Sequence, residues 1–467
     1  MLPTLEAVIS AIKDGRVSSE SITKSYIARI KQTNALVNAV SQINPDAVLN
    51  AIKLDHDLAA GNLKGPLHGV PILVKETMCT LDQMETTAGS LALVGARPVT
   101  EASVVKRLRD AGAVILGKGT VTEWSNTRSG KMPNGWSAVS GQCHGAFYGD
   151  QDPQGSSSGC AVAVSIGLAP VSLGAETWGS ITFPAQNNGV VGLKPTVGLV
   201  SRAGVVPVSF HKDTVGPLAR TVKDAAIILS VIAGRCSQDG ATDSIPFETM
   251  PDFVSACKGD ALKGARIVIP KATIEKCPYK DVAAAVESAA LVMESAGAEI
   301  VRDIDFEGWE VGVTKRDDMP SNVFLREGLE GYFRSLASNP QNINSMADLL
   351  DFLQKTPEEE ADKYGLDSFI AARDEPCTSS SPEFQEAVKR MMDQGDEIAR
   401  LLDATGGDAL IVPTTADIPY DVGQNPAIAV PIGFYPADRN ILTACGKMIS
   451  KGPNIPWASL NTPVLRN

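Results

Sequence analysis

The stretch GPLHGVPILVKE, residues 65–76, contains an uninterrupted apolar run over residues 70–74. A Gly-Pro pair precedes the run and a Lys-Glu pair follows it, which is typical of the boundaries of a short strand. The run therefore predicts a β-strand.

Strands and helices alternate on both sides of this stretch. Before it, apolar residues repeat at helical spacing from Ile22 to Ile30, after a Ser18-Ser19 cap. After it, Thr100 is expected to cap an amphipathic helix that ends at Gly112. Three further strands and one helix are predicted at AVILG 113–117, RIVIP 266–270, DALIVPTT 408–415 and residues 281–297. This alternation predicts an α/β sheet with helices on both faces.

The composition limits the class of protein. The chain has 467 residues, of which 43% are hydrophobic, enough to supply a sizeable core. Its net charge is 42 − 54 = −12, which argues against nucleic acid or an anionic membrane surface as a partner. The longest run of low charge, residues 161–175, is too short and too broken to span a bilayer.

The cysteines and histidines indicate the redox environment of the protein and argue against a metal site. The eight cysteines have irregular spacings and no CxxC pair, which favours a reduced, cytoplasmic protein. We see no signal peptide at the N-terminus. With only four histidines, the sequence offers little for a multi-histidine metal site, so no metal and no cofactor is expected.

Two loops in the middle of the chain are rich in Gly and Ser: PQGSSSGCAVAV at 153–164 and GAETWGSITFPA at 174–185. Glycine there allows backbone N–H groups to approach a ligand. Taken alone, such a loop before a helix is more often a turn or a phosphate-binding loop than a nucleophile site. The Lys-Ser/Thr pair of a P-loop is missing, and so is the G-x-S-x-G nucleophile elbow.

Together with their neighbours, these loops resemble the amidase signature family. The segments that carry the resemblance are GPLHGVPILVKE (65–76), METTAGSLAL (84–93), GSSSG (155–159), ETWGSITFPA (176–185) and GVVGLKPTVGLVSRAGVVPVSFHKDTVGPLARTVKDAA (189–226). NTRSGKMPNGWSAVSGQ, residues 126–142, is similar to the fungal branch of that family. The match is dense over about 65–235 and looser beyond.

The resemblance implies one domain over residues 1–467, built on a large, mixed, twisted β-sheet with helices on both faces. Within it we expect N-terminal helices over 1–60 and the signature core over 61–235. The charged segment 308–404 is interpreted as a helical insertion that shapes the pocket or merely packs on the sheet. The C-terminus looks shortened relative to the family, which would leave a sheet edge for a second copy and predicts a homodimer.

The resemblance also implies a Ser–cis-Ser–Lys triad. Ser180 matches the nucleophile, Ser156 the bridging serine that follows a cis peptide bond, and Lys75 the base. Ser156 would hydrogen-bond both Lys75 and Ser180. A lysine can accept a proton only when neutral, so burial must lower its pKa. The apolar run before Lys75 is consistent with such burial, and the scarcity of histidine fits a lysine base.

The same loop is expected to supply an oxyanion hole. The proposed donors are the backbone N–H groups of Thr177, Trp178, Gly179 and Ser180. The candidate substrate-binding residues are Met132, Gly135 and Trp178. Trp178 stands where relatives usually carry Gly or Asp, and we expect its indole to line the acyl pocket.

Five other residues are expected to have structural roles. Glu176 would orient backbone groups of the nucleophile loop, and Arg220 would form an ion pair. Cys160 is interpreted as a small buried packing residue, and His68 and His211 as structural histidines.

These features favour a serine hydrolase that cleaves the C–N bond of a small carboxamide or N-acyl compound through an acyl-enzyme. One alternative is an acyltransferase or esterase that passes the acyl group to an amine or alcohol. Another is a catalytically quiet member of the family. The glutaminase subunit of a tRNA-dependent amidotransferase is disfavoured by the fungal-type segment and by the lack of a basic surface signal.

Overall fold

The computed structural model of the chain describes residues 2–306, 318–413, 427–433 and 444–449. The predicted shortening of the C-terminus lies outside these residues. Within them, no helix is both long enough and apolar enough to cross a membrane.

The strands lie close to where the apolar runs predict them. Their bounds are β1 Val40–Ile43, β2 Pro71–Lys75, β3 Arg97–Pro98, β4 Val114–Gly119, β5 Trp136–Ser137, β6 Gly141–Gln142, β7 Val171–Glu176, β8 Val191–Lys194, β9 Thr214–Ala219, β10 Arg266–Pro270, β11 Glu299–Ile304, β12 Leu336–Ser338, β13 Ala409–Pro413, β14 Ala427–Gly433 and β15 Ala444–Ile449. The predicted strand at 408–415 is β13, and its last two positions lie outside the described residues.

Eleven of these strands form one mixed sheet in the order β1-β4-β2-β7-β9-β8-β14-β15-β13-β10-β11. Strand β2 is parallel to both of its neighbours, β4 and β7. The strands from β7 to β13 pair antiparallel, and β10 is again parallel to both of its neighbours. Two small sheets, β3-β12 and β5-β6, lie outside the main one.

Helices occupy the connections between strands. Their bounds are α1 Leu5–Lys13, α2 Ser19–Val37, α3 Ala47–Ala59, α4 Ser103–Asp110, α5 Glu123–Asn126, α6 Ser158–Ser165, α7 Thr182–Asn187, α8 Val222–Ile232, α9 Lys271–Glu275, α10 Lys280–Ser295, α11 Met319–Arg334, α12 Met346–Lys355, α13 Ala361–Tyr364, α14 Asp367–Asp374 and α15 Pro382–Thr405. The last five lie in the segment interpreted as an insertion.

The alternation of side chains along β2 shows that helices cover both faces of the sheet. Ile72 and Val74 join an apolar cluster with α1, α4 and α8. Leu73 joins another cluster with α2 and α6 on the opposite face. The predicted α/β fold is therefore confirmed. The same alternation puts Lys75 on the face of Leu73, beneath α6.

Two of the helix boundaries are as predicted and one is not. The Ser18 hydroxyl caps α2 by accepting from the Ser21 N–H, and Gly112, with φ +88°, follows the end of α4. The prediction that Thr100 caps α4 is wrong, because Ala102 holds the cap position. The Ala102 N–H instead donates to the Cys79 carbonyl at 2.9 Å, so the chain stays extended through residue 102.

A buried charge cluster connects the helical segment to the sheet domain. The fully buried guanidinium of Arg128 contacts Glu123 at 2.5 Å and Glu359 at 3.4 Å, and donates to the Glu359 carbonyl at 2.7 Å. Burial and the neighbouring Glu359 charge raise the pKa of Glu123 above its ordinary value, while the Arg128 charge opposes them. Two buried carboxyl groups thus depend on a single cation.

Replacing Arg128 with Ala is expected to lower the free energy of unfolding by about 3–5 kcal/mol, because it leaves buried carboxylates without a cation. Equilibrium denaturation with urea measures the loss. Arg373→Ala is the control, because Arg373 pairs with Asp374 on the surface and the midpoint should not move. Equal effects of the two substitutions would contradict this assignment.

Candidate active site

Lys75 is the last residue of β2 and is completely buried. Its Nζ donates to the Ser156 hydroxyl at 2.7 Å and to the Ala175 carbonyl at 3.0 Å. Burial lowers the pKa of Lys75 to about 8, against the opposing effects of Cys160, Asp213 and Glu176. A substantial fraction of the amine is therefore neutral near pH 8, when it can accept a proton.

Ser156 stands just before α6, and the Gly155–Ser156 peptide bond is cis. The next residue connects it to the nucleophile candidate, because the Ser157 N–H donates to the Ser180 carbonyl at 3.1 Å. Both Ser156 and Ser180 are buried. The expected hydrogen bond between the Ser156 and Ser180 hydroxyls is not formed in this structure, although both residues are described.

The start of α6 is fixed against the end of β7. The Ser157 hydroxyl donates to the Ala175 carbonyl at 3.2 Å and accepts from the Ala175 N–H at 3.3 Å. A Cβ at Gly174 would lie 2.9 Å from the Ser157 oxygen, so glycine permits this close approach. Ala175 thereby connects Ser157 with Lys75.

Glu176 organises the loop that carries Ser180. One of its carboxylate oxygens accepts from the Ile181 N–H at 2.8 Å and the Thr182 N–H at 2.9 Å. The predicted orienting role of Glu176 is confirmed. In the described part of the chain, the preceding N–H groups of Gly179 and Ser180 have no protein acceptor.

Trp178 projects outward from this loop. Its side chain is half-exposed, and its ring packs edge-on against Phe183 at 5.8 Å between centroids. Met132 is buried, and the Gly135 N–H donates to the Thr122 hydroxyl at 2.8 Å. None of the three candidate substrate-binding residues lies on the wall of the cleft described next.

A cleft opens beside Ser156. One side is mainly apolar and consists of residues 205–210 together with Val215. The polar lining residues are Ser125, Ser156, Glu176, Thr177, Arg202, Asp213 and Thr214. The backbone of Ser125 is unusual, because residues 124–126 all have positive φ, a conformation that L-residues adopt at a cost.

Sequence reasoning missed Asp213 as a residue of this cleft. Its carboxylate accepts from the Thr177 hydroxyl at 2.5 Å, the Val208 N–H at 2.8 Å and the Ser209 N–H at 2.9 Å. Burial raises the pKa of this carboxyl above its ordinary value. Asp213 lies inside a quoted motif, but an acidic residue in a loop has no periodicity that would single it out.

Arg202 was also missed, and its charge is already neutralised. Its guanidinium donates to both oxygens of Asp239, at 2.9 and 2.7 Å, and to the Phe210 carbonyl. Arg202 therefore shapes the cleft wall through ion pairing with Asp239.

Cys160, His68 and His211 have the structural surroundings that were predicted for them. The Cys160 thiol is buried and donates to the Leu173 carbonyl at 3.4 Å, and burial raises its pKa to about 12. His68 contacts the Lys64 N–H at 3.0 Å and the Leu54 carbonyl at 2.9 Å. His211 is buried and packs against an aromatic ring.

The prediction that Arg220 forms an ion pair is wrong. Its guanidinium donates to the carbonyls of Val164 and Ala169 at 3.0 and 3.1 Å, and to the Pro3 carbonyl. The physical reason is that its guanidinium lies against backbone carbonyls at and beyond the C-terminal end of α6, which can accept its N–H groups. Arg220 is structural, but it acts as a donor to backbone carbonyls.

Comparisons of the sequence and of the structure with known proteins all find amidases. The sequence model of the family described as Amidase matches residues 21–447. A putative amidase of Arthroderma benhamiae is 41% identical over 452 residues, covering 95% of this chain and 76% of that protein. A probable amidase of Arabidopsis thaliana is 35% identical, with coverages of 92% and 83%. The native peptide amidase of Stenotrophomonas maltophilia has a similar structure, with a TM-score of 0.88, 33% identity and coverages of 98% and 94%.

Gly179→Ala is expected to destabilise the protein by about 1–3 kcal/mol, the usual cost of overpacking. A Cβ there would lie 2.2 Å from the Phe183 ring, and φ is +77°. Thermal unfolding measures the loss. Gly130→Ala is the control, because a Cβ at Gly130 meets nothing within 4 Å. Adding Phe183→Ala to Gly179→Ala should relieve part of the steric clash. Equal stability of Gly179→Ala and Gly130→Ala would contradict the prediction.

Proposed function

The chain belongs to the amidase signature family and hydrolyses amide C–N bonds, and we propose that it does so through an acyl-enzyme formed on Ser180. In this proposal Lys75 is the base and Ser156 relays protons between the two residues. The observation that carries the proposal is the 2.7 Å hydrogen bond from the buried Lys75 amine to the Ser156 hydroxyl, at the edge of the cleft.

Acylation begins with Lys75 neutral. Ser156 gives its proton to Lys75 Nζ and takes the proton of the Ser180 hydroxyl, whose oxygen attacks the amide carbon. A movement of either hydroxyl must bring the serines into contact, and catalytic hydrogen bonds often tighten only when substrate is bound. The C–N bond then breaks, and the proton held on Lys75 returns through Ser156 to the leaving amine.

The tetrahedral intermediate carries a negative oxygen that needs donors. We propose that the N–H groups of residues 177–180 supply them, as the family resemblance implies. Among the described residues the N–H groups of Gly179 and Ser180 have no protein acceptor, and this supports the role. Each such donor is worth about 3 kcal/mol in the transition state.

Deacylation repeats the same steps with water. Neutral Lys75, acting through Ser156, takes a proton from the attacking water molecule. The ester bond to Ser180 breaks, the carboxylic acid leaves, and Ser180 recovers its proton. No other reactant is required.

We propose a small carboxamide or N-acyl compound as the substrate, and the similarity to a protein named a peptide amidase supports an amide substrate. The apolar side of the cleft suits an uncharged, apolar group next to the scissile amide. The predicted roles of Met132, Gly135 and Trp178 in substrate binding, and the predicted homodimer, stay predictions. Light scattering at micromolar protein concentration tests the homodimer.

Ser180→Ala is expected to abolish amide hydrolysis and labelling by a fluorophosphonate probe, because the probe forms a bond with the activated serine. Intact-protein mass spectrometry measures the label. Ser165→Ala, at the far end of α6, is the control and should label like the wild type. Labelling that persists in Ser180→Ala would reject Ser180 as the nucleophile.

The same acyl-enzyme could in principle pass its acyl group to an amine. Hydrolysis and transfer are separated by adding hydroxylamine and measuring how the product divides between carboxylic acid and hydroxamate. An amidase is expected to give the acid as the main product when water is the only acceptor. Failure of the acyl-enzyme formed from an amide substrate to release the carboxylic acid in water would favour transfer.

The pH dependence tests Lys75. Because its pKa is about 8, kcat/KM should rise with pH and level off above about 8, where the amine is neutral. Lys75→Arg should be inactive throughout, since a guanidinium stays charged. Burial also lowers the pKa of Lys118 to about 8, so Lys118→Met is the control and should keep the midpoint. If the midpoint of the pH profile disappears in Lys118→Met, the titrating group is Lys118 and the assignment to Lys75 is wrong.

A further inference from the structure

The carboxylate of Asp213 joins two parts of the cleft that are distant in sequence. One oxygen accepts from the Thr177 hydroxyl at 2.5 Å, in the loop that leads to Ser180. The other accepts from the N–H groups of Val208 and Ser209, at 2.8 and 2.9 Å, in the apolar wall. A single side chain therefore fixes the distance between the nucleophile loop and the wall.

The nucleophile loop is held by carboxylates at both ends. Glu176 binds the N–H groups of Ile181 and Thr182, immediately after Ser180. Asp213 binds Thr177, three residues before Ser180. The anchor at Thr177 is a side-chain hydroxyl, so the backbone N–H groups of the loop are not used by it.

The hydrogen bond from the Thr177 hydroxyl to the Asp213 carboxylate is short and has a charged acceptor. Hydrogen bonds to carboxylates are shorter and roughly twice as strong as those between neutral groups. Without the Thr177 hydroxyl, the start of the loop loses its only side-chain hydrogen bond to the wall among the described residues. The loop could then tilt by a fraction of an ångström, enough to move oxyanion donors out of line.

We propose that Thr177 and Asp213 are a positioning pair that sets the oxyanion donors for the transition state. The positioning role belongs to the Thr177 hydroxyl and the Asp213 carboxylate, and neither of these side-chain groups needs to touch the reacting atoms. The inference rests on the proposed acyl-enzyme on Ser180. Because the donors act on charge that develops only during reaction, the pair should influence kcat far more than KM.

The test compares Thr177→Val, which removes the hydroxyl at nearly constant volume, with Thr177→Ser, which retains it. Steady-state kinetics are measured on a neutral arylamide of a short apolar acid. Thr177→Val is expected to lower kcat by about 10- to 100-fold, the loss of one charge-assisted hydrogen bond, with KM changed less than about threefold. Thr177→Ser should keep kcat within about threefold of the wild type.

Asp213→Asn and the double variant complete a mutant cycle. Asp213→Asn weakens the acceptor for Thr177 and for the wall together, so its kcat should fall at least as far as in Thr177→Val. If the two residues act as a pair, adding Thr177→Val to Asp213→Asn should cause little further loss. Thermal unfolding of each variant checks that the fold is intact, and Asp213→Asn provides a second readout if Thr177→Val does not fold.

Three outcomes would overturn the inference: an unchanged kcat in Thr177→Val, a change confined to KM, or additive losses in the double variant. The proposed function is tested separately by fluorophosphonate labelling of wild-type Ser180. Wild-type protein that is labelled while Thr177→Val reacts at the same rate would refute only the positioning pair. Wild-type protein that is not labelled at Ser180 would refute the proposed function itself.

Discussion

The burial of one lysine amine at the end of an internal strand is the constraint on which the site depends. Lys75 follows four buried residues of β2 and cannot reach water, so its amine must find partners within the protein. Ser156 and Ala175 supply them. Burial of a charged amine is costly, but at this site it lowers the pKa of Lys75 to about 8, where the amine can gain and lose a proton.

The partners of Lys75 are themselves held by the sheet and by α6. Ser157 binds both backbone groups of Ala175, so the turn that carries Ser156 cannot shift without disturbing β7. At the end of β7, Glu176 holds the residues that follow Ser180. The proposed triad is therefore assembled by two adjacent strand ends and one helix start, which lie close only because β2 and β7 are neighbours.

Several features of this arrangement could be predicted from local sequence. The apolar run in β2, the hydroxyl of Ser18 and the glycine after α4 each act through near neighbours in the chain. Thr100 and Arg220 could not be assigned correctly in the same way. The start of α4 depends on the bond from the Ala102 N–H to the distant Cys79 carbonyl, and Arg220 depends on carbonyls at and beyond the end of α6.

The sequence by itself determined the α/β class through hydrophobic periodicity, and it determined the family and the candidate triad through the resemblance that its short motifs carry. Only the tertiary structure decided which groups face the cleft. It placed Asp213 against Thr177 and turned Trp178 outward against Phe183. The physical reason is that a loop residue acquires its partners through the packing of distant segments, and no periodicity within the loop encodes that packing.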